Sequence, residues 1–443
     1  MSRSKGITVH RGLLVIIVLA FTVYWLVDTS WNLNATRTEV ACPPQAHQRQ
    51  KMSMLLPILP TVHTDNVVAA DAITKVFQHT ASDLGGWIDI NQLEYGDITT
   101  LRDVGQAIMS RKVSCGRPKV FGEDIVAGLE YCFWDSDFVS EKSLQDFDFE
   151  RHLVDWVYRT FRDLDQTLKR YSFNASKCQL GFLDVGVNVG DWASPLIAAL
   201  PMTPFFGIEG TPSTSAIAAA NMRTSIEQRV RLHRLTTPAL LLPFSIISKS
   251  LVPTVRASGG LCYGSDPGNV GGQGVESVEA VKCQPSLVAG ATLLSHALQS
   301  IASVQSCAGK QDWPRIYIAK FDIQRFEFKA TTSALDWLSE RPPCYIMIET
   351  YKEHRTSAII ELLLDFGYDS VWRTHNAYPK DDAARHEEFP PGPPYWSRSR
   401  NSSTISLHDA ADIDLETISV FWGNKDYLFG FEDEEKCLRR LLE

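Results

Sequence analysis

Residues 182–192 read FLDVGVNVGDW. With the residues before it, QLGFLDVG (179–186) is an apolar run of strand length that ends in a turn signal, and such a run reads as a buried strand. Directly after it, Gly186 and Gly190 flank Asn188. Glycine admits positive φ and close approach of another group to the main chain, and asparagine tolerates those angles better than most residues. A turn this bare either packs against its own neighbours or offers its backbone to a ligand.

Outward from this stretch the texture repeats. WASPLIAAL (192–200) reads as a helix with Asp191 near its N-cap and Pro195 in its opening turns. PFFGIEG (204–210) is a second strand, Thr211 caps and Pro212 opens an alanine-rich helix to Ile226, and RVRLHRLT (229–236) reads as a third strand. RIYIAKFDI (315–323), EFKATTSALDWL (327–338), CYIMIET (344–350) and TSAIIELLLDFGY (356–368) continue the rhythm. Strands alternating with ~10–15-residue helices imply parallel pairing, so the expected class is α/β with a doubly wound sheet. FERHLVDWVYRTFRDLDQTLKRY (149–171) has apolar residues at helical spacing and reads as an amphipathic helix leading into that core. The rhythm breaks at Ser248–Asp312, rich in glycine and serine, expected as a functional excursion with a strand near Val278–Cys283 and a helix near Ala291–Ser303. TISVFWGN (417–424) reads as the last strand, after a proline-rich loop at 387–404, and EDEEKCLRRLLE (432–443) as a terminal helix with acids first and arginines later.

The chain has 443 residues, 44% hydrophobic and 10% aromatic, enough for one large domain with appendages. A net charge of −9 without a basic face argues against a nucleic-acid partner. Gly12–Val27 is uncharged and mostly apolar, preceded by Arg3, Lys5 and Arg11 and followed by Asp28. That bias places the N-terminus in the cytoplasm and the body across a membrane, as an uncleaved anchor or a cleaved signal peptide. Tyr24, Trp25 and Trp31 resemble an interfacial belt, and no small-x-small cleavage site follows, which favours the anchor. From Trp31 to Gly86 the composition is that of a stem, with one helix expected at 69–84. Sequons at Asn34, Asn174 and Asn401, and nine cysteines all beyond the apolar segment, fit a lumenal or extracellular body. Nine being odd, at least one cysteine is free or pairs between chains, and none has zinc spacing.

Ligands of open α/β sheets sit beyond the carboxyl ends of the strands. There the first strand offers Asp184 and the turn Gly186-Val-Asn188-Val-Gly190, and the second offers Glu209, whose carboxylate can take both hydroxyls of a ribose. A dinucleotide site calls for GxGxxG aimed at a pyrophosphate. The spacing here is GxNxG, and Asp184 favours a cationic ligand, which points from NAD toward S-adenosyl-L-methionine. A strand-turn-helix whose glycines only pack is the alternative.

FLDVGVNVGDW and FFGIEGTP, with NVGG (269–272), IAKFDIQRFE (318–327) and IMIET (346–350), resemble in order and spacing the FkbM-type methyltransferases, over roughly Gly181–Arg373. The resemblance implies a Rossmann-like, class I methyltransferase fold and S-adenosylmethionine-dependent O-methyl transfer to hydroxyls of sugars and natural products. It implies that Asp184, Gly186, Asn188 and Gly190 line the methionine moiety, that Glu209 holds the ribose, and that Lys320 and Asp322 face the acceptor hydroxyl. In-line methyl transfer needs positioning and removal of the hydroxyl proton. Asp322 can take that proton with Lys320 orienting it, and Glu349 on the adjacent strand can act as a second base or bind a metal. A structural Lys320–Asp322 ion pair is the competing reading. Where the family continues with a glutamate-glycine pair, this chain has Gln324-Arg325.

The expected organisation is a cytoplasmic tail (1–11), a transmembrane signal anchor (12–28), a stem (29–100), a helical lead-in (101–178), a methyltransferase domain (179–375, insertion 248–312) and a C-terminal extension with the last strand and helix (376–443). The expected activity is O-methylation of a glycan or small hydroxylated acceptor by a single-pass protein of the Golgi or secretory pathway, or a secreted one, with no metal assigned. The alternatives are a silent member of the fold that binds glycans or proteins, and an NAD-linked enzyme.

Overall fold

The computed structural model describes residues 86–109, 111–116, 130–135, 151–173, 179–233, 237–258, 260–263, 275–277, 288–302, 304–305, 313–324, 326–351, 356–373, 396–397 and 424–442. The expected tail, the anchor at 12–28, the helix at 69–84 and the three sequons lie outside them. Among the described residues no helix is long and apolar enough to cross a membrane.

The chain opens with β1 (Ile88–Asp89), α1 (Tyr95–Met109), the hairpin β2 (Val113–Gly116) and β3 (Tyr131–Trp134), and α2 (Arg151–Arg170). β4 (Gly181–Val185), α3 (Ala193–Ala199), β5 (Phe205–Ile208), α4 (Pro212–His233) and β6 (Ala239–Leu242) follow. The excursion holds β7 (Ser245–Ile246), α5 (Val252–Ser258), β8 (Leu261–Tyr263), β9 (Val275–Ser277), β10 (Val288–Ala289), β11 (Ala291–Thr292) and α6 (Leu294–Ile301). Then come β12 (Ile316–Phe321), α7 (Glu327–Thr332), α8 (Leu335–Glu340), β13 (Tyr345–Tyr351), α9 (Thr356–Asp365), β14 (Ser370–Arg373), β15 (Trp396–Ser397), β16 (Asn424–Gly430) and α10 (Glu434–Leu442).

One nine-stranded sheet runs β1-β6-β5-β4-β12-β13-β16-β14-β15. β6, β5, β4, β12 and β13 are mutually parallel, and β16 enters antiparallel between β13 and β14. The chain steps outward from β4 in one direction and, through β12, in the other. Because crossovers are right-handed, that reversal sends the connecting helices to opposite faces, and it sets a switch point between β4 and β12. Every residue of β4, β5, β6 and β12 is buried, which is why these strands read as unbroken apolar runs. The expected amphipathic helix forms as α2, and it lays Phe161 edge-on to Phe182 and Tyr317, and Trp156 edge-on to Tyr345.

Several expected boundaries move. RVRLHRLT is not a strand: α4 continues to His233, and the third parallel strand is Ala239–Leu242. Arg229 explains this, since from the helix it donates through Nη1 to Thr237 Oγ1 (2.8 Å) and through Nη2 to Thr237 O (3.1 Å). A buried cation is kept by closing the loop that follows it. EFKATTSALDWL forms two short helices broken at Ser333, whose Oγ accepts from Leu294 N at 3.0 Å. The strand expected near Val278–Cys283 lies outside the described residues, Val275–Ser277 just before it forms β9, and the helix starts at Leu294 because Ala291–Thr292 pairs with β7. Ile247, Val255, Leu261, Ala291 and Leu293 give the excursion a small core of its own.

The last strand is Asn424–Gly430, and of the expected Thr417–Asn424 only Asn424 lies among the described residues. The 376–443 segment thus supplies an interior strand of the sheet, while Ile88–Asp89, within the segment assigned to the stem, pairs with β6 at one edge. Disulfides join Cys115 to Cys132 across the β2–β3 hairpin, and Cys344, before β13, to Cys437 of α10.

Candidate functional site

The 186–190 turn is built against the tip of β12. Gly186 (φ 99°), Asn188 (φ 54°) and Gly190 (φ 88°) all take positive φ. A Cβ on Gly186 would overlap the carbonyl oxygen of Asp322, whose own amide donates to Val185 O at 2.8 Å. The two strand tips therefore meet main chain to main chain. Glu209 braces the turn from the other side: Oε2 accepts from Asn188 N at 2.9 Å and Oε1 from Thr211 N at 2.8 Å. The Thr211 side chain bonds the same carboxylate.

Asp184, at the root of the turn, is fully buried, and neither carboxylate oxygen has a hydrogen-bond partner. Lys320 Nζ stands 3.8 Å away. Burial lifts the Asp184 carboxyl to about 7 against the pull of Lys320, and the charges of Asp191, Asp322 and Glu209 push the same way as burial. Glu209 also rises to about 7 and Asp191 to about 6, both chiefly through burial. Asp322 goes the other way. Burial would raise it, but the Lys320 ammonium at 3.0 Å and hydrogen bonds including that from Gln324 hold it below its ordinary range. Lys320 in turn lies 4.9 Å from the centroid of the Trp192 ring, a cation–π distance.

Gln324 takes φ 49°, a left-handed conformation costing a non-glycine residue on the order of 1 kcal/mol. Its Nε2 donates to Asp322 Oδ1 (3.2 Å) and to Glu349 Oε2 (3.1 Å). The Gln324 amide thus bridges two carboxyl groups on adjacent strands that also hydrogen-bond to each other. Arg325 lies outside the described residues. Beyond the tips of β4 and β5, Val185, Ile208, Phe244 and Phe326 line a small cavity of about 20 Å³. Its polar corner is Ser245 Oγ and the Tyr263 hydroxyl, 2.6 Å apart.

The structure brings all eight residues singled out from the sequence to this end of the sheet. Lys320 joins Asp184 to Asp322, Gln324 joins Asp322 to Glu349, and Glu209 holds Asn188 between Gly186 and Gly190. Asp191 lies one residue before the N-cap position of α3, Trp192, and its carboxylate accepts from the backbone of Asp191 and Trp192. Lys320 draws it down and Asp322 pushes it up. Sequence reading missed the bridging by Gln324, the Ser245–Tyr263 corner, and Asn221, treated below. The signal for Asn221 was a polar residue closing the apolar run AIAAAN, because a buried amide must be hydrogen-bonded. Among the described residues only Cys115, Glu130 and Cys132 gather three metal-capable ligands, and their sulfurs are bonded to each other.

No family model matches the chain, and no curated protein sequence matches it. Among solved structures it is similar to phosphoethanolamine N-methyltransferase 2 of Haemonchus contortus in complex with S-adenosyl-L-methionine, at 9% identity and TM-score 0.26, over 77% of this chain and 75% of that one. It is also similar to the hMettl16 catalytic domain in complex with MAT2A 3'UTR hairpin 6, at 10% identity and TM-score 0.26, over 84% of this chain and 98% of that one. Scores of this size do not establish a shared fold, so the reading below rests on the sheet and the site themselves.

Proposed function

We propose that the chain is an S-adenosyl-L-methionine-dependent O-methyltransferase that modifies a hydroxyl of a glycan or similar polyol in the lumen of the secretory pathway. The observation that carries this reading is Asp184, a fully buried carboxylate without a hydrogen-bond donor, at the root of a turn whose backbone is bare. A buried carboxylate without a hydrogen-bond donor is costly even with Lys320 at 3.8 Å, and a cationic ligand that donates to it lowers that cost. The donor set fits this cofactor: Asp184 for its ammonium group, the 186–190 backbone for close approach and Glu209 for a ribose. Bound there, the cofactor supplies an electrophilic methyl group.

The chain's other residues act on the acceptor. Asp322, held ionised by Lys320, accepts the hydroxyl proton, and Gln324 with Glu349 fixes its orientation. Acceptor-only carboxylates suit a substrate rich in hydroxyl donors and repel an anionic one. The two disulfides among the described residues support an oxidising compartment, and the short apolar segment at 12–28 supports a Golgi-type anchor.

Two measurements test the reading on the purified chain. Calorimetric titration with S-adenosylhomocysteine and S-adenosylmethionine is expected to show binding that Asp184→Asn weakens, and labelled-methyl transfer to fractionated glycans is expected to mark one hydroxylated class. A folded protein that binds neither compound refutes the cofactor assignment. Binding without transfer to any fraction favours a silent, glycan-binding member of the fold.

A further inference from the structure

α4 turns a run of small buried residues, Ala216 and Ala218 to Ala220, toward its neighbours, and the run ends in Asn221, which is also buried. Gly190 packs over Ala218, so the helix lies directly against the cofactor turn. The Asn221 amide grips two segments at once. Oδ1 accepts from Cys132 N at 2.9 Å, and Nδ2 donates to Cys132 O at 2.9 Å and to Val189 O at 2.8 Å. The first pair docks the amide on β3 as a strand neighbour would. The third bond takes the one turn carbonyl that lies between Asn188 and Gly190. Cys132 is itself tied to Cys115, and the adjoining Tyr131 is buried within the field of Asp191.

We propose that Asn221 is a positioning residue for the 186–190 turn, and that through it the disulfide-closed β2–β3 hairpin becomes part of the support of the cofactor site. Glu209 holds the amide at Asn188 and Asn221 holds the carbonyl at Val189, so the left-handed Asn188 is fixed from two separate elements. A non-glycine residue stays in that conformation only where its surroundings over-determine it. Loosening the hairpin withdraws one of the two anchors, and cofactor affinity then depends on the Cys115–Cys132 bond. Reduction by a dithiol, which leaves two thiols here and a disulfide on the reductant, becomes a way to weaken binding. The ligand part of this inference rests on the methyltransferase reading; the mechanical part rests on the hydrogen bonds alone.

A double-mutant cycle tests both parts. The full chain, Asn221→Ala, the pair Cys115→Ser with Cys132→Ser, and the triple variant are compared by S-adenosylhomocysteine titration and by hydrogen exchange of amides 186–190. The serine pair leaves the asparagine in place, which guards against a misfolded Asn221→Ala. Each alteration is expected to weaken binding about 5- to 10-fold, the scale of one buried hydrogen bond, and to speed exchange in the turn. The triple variant is expected to bind no worse than Asn221→Ala, because the link is already cut. A general loss of stability lowers the melting temperature without changing the affinity of the folded fraction, so it does not reproduce this pattern. Effects that multiply, or turn amides that exchange as in the unaltered chain, overturn the proposal. If the folded chain binds no S-adenosylhomocysteine, the functional reading fails, and the exchange measurement still decides the coupling.

Discussion

Exchanging Asp184 for asparagine separates the stability of this protein from its binding. The Asp184 carboxyl rises from its ordinary 3.8 to about 7 on folding, burial being the main cause. Between about pH 4 and pH 7 the folded chain therefore holds a proton that the unfolded chain has released, so stability falls as pH rises through that window and levels off above it. At ~1.36 kcal/mol per pH unit the full effect is about 4 kcal/mol, more than half of which accumulates between pH 5 and pH 8. Asparagine keeps the shape and loses the charge, and its buried amide, without donors or acceptors in reach, costs a pH-independent ~1–3 kcal/mol. The two stability curves should therefore meet near pH 5 and separate by pH 8, with the variant on top by about 1–3 kcal/mol. Glu209 and Asp191 titrate in the same window and share the field of Asp184, so removing its charge eases their ionisation and widens the gap in the same direction. Urea unfolding without ligand, repeated across that range, measures the gap. S-adenosylhomocysteine titration at pH 8 should show at least a tenfold loss of affinity, as for one lost charge-assisted hydrogen bond. Parallel stability curves, or a variant that binds as well as the unaltered chain, would refute the argument.

Gly186→Ala drives a Cβ into the Asp322 carbonyl at φ 99°, and should cost more than about 3 kcal/mol or yield no folded protein by circular dichroism. Gln324→Glu sets a third carboxylate against Asp322 and Glu349. The added acid is held protonated by its neighbours, so the melting temperature should fall further behind the unaltered chain from pH 5 to pH 8, and an offset constant over that range counts against the bridge. Removing the Cys344–Cys437 link, which spans 93 residues, by paired serines should lower unfolding free energy by about 2–5 kcal/mol in denaturant titration.

The parallel core was legible because its strands are buried on both faces, leaving unbroken apolar runs at Phe182, Phe205 and Ile316. The grouping of the candidate site residues was legible for a related reason: strand tips place Asp184, Glu209, Asp322 and Glu349 together whatever the details of packing. The end of α4 was not, since RVRLHRLT alternates like a strand and only the fold shows Arg229 reaching Thr237. Nor was β16, because NKDYLFG opens on polar and charged residues, while TISVFWGN lies outside the described residues except for Asn424. Partners distant in sequence stayed hidden: Asn221 meets Cys132 across 89 positions, and Gln324 meets Glu349 across 25. Gln324-Arg325, read from the sequence as a disturbance beside the acceptor, contributes at Gln324 a neutral link between two acids.

The antiparallel β16 has a consequence for biosynthesis. β13 and β14 are not sheet neighbours without it, so the strand that carries Glu349 leaves the ribosome with an open edge and keeps it until residues 424–430 emerge. Unpaired edges invite association with other nascent chains, and the Cys344–Cys437 bond closes only once α10 has followed. Translation stopped a few dozen residues early therefore produces a sticky folding intermediate for quality control to clear rather than a shortened but finished domain.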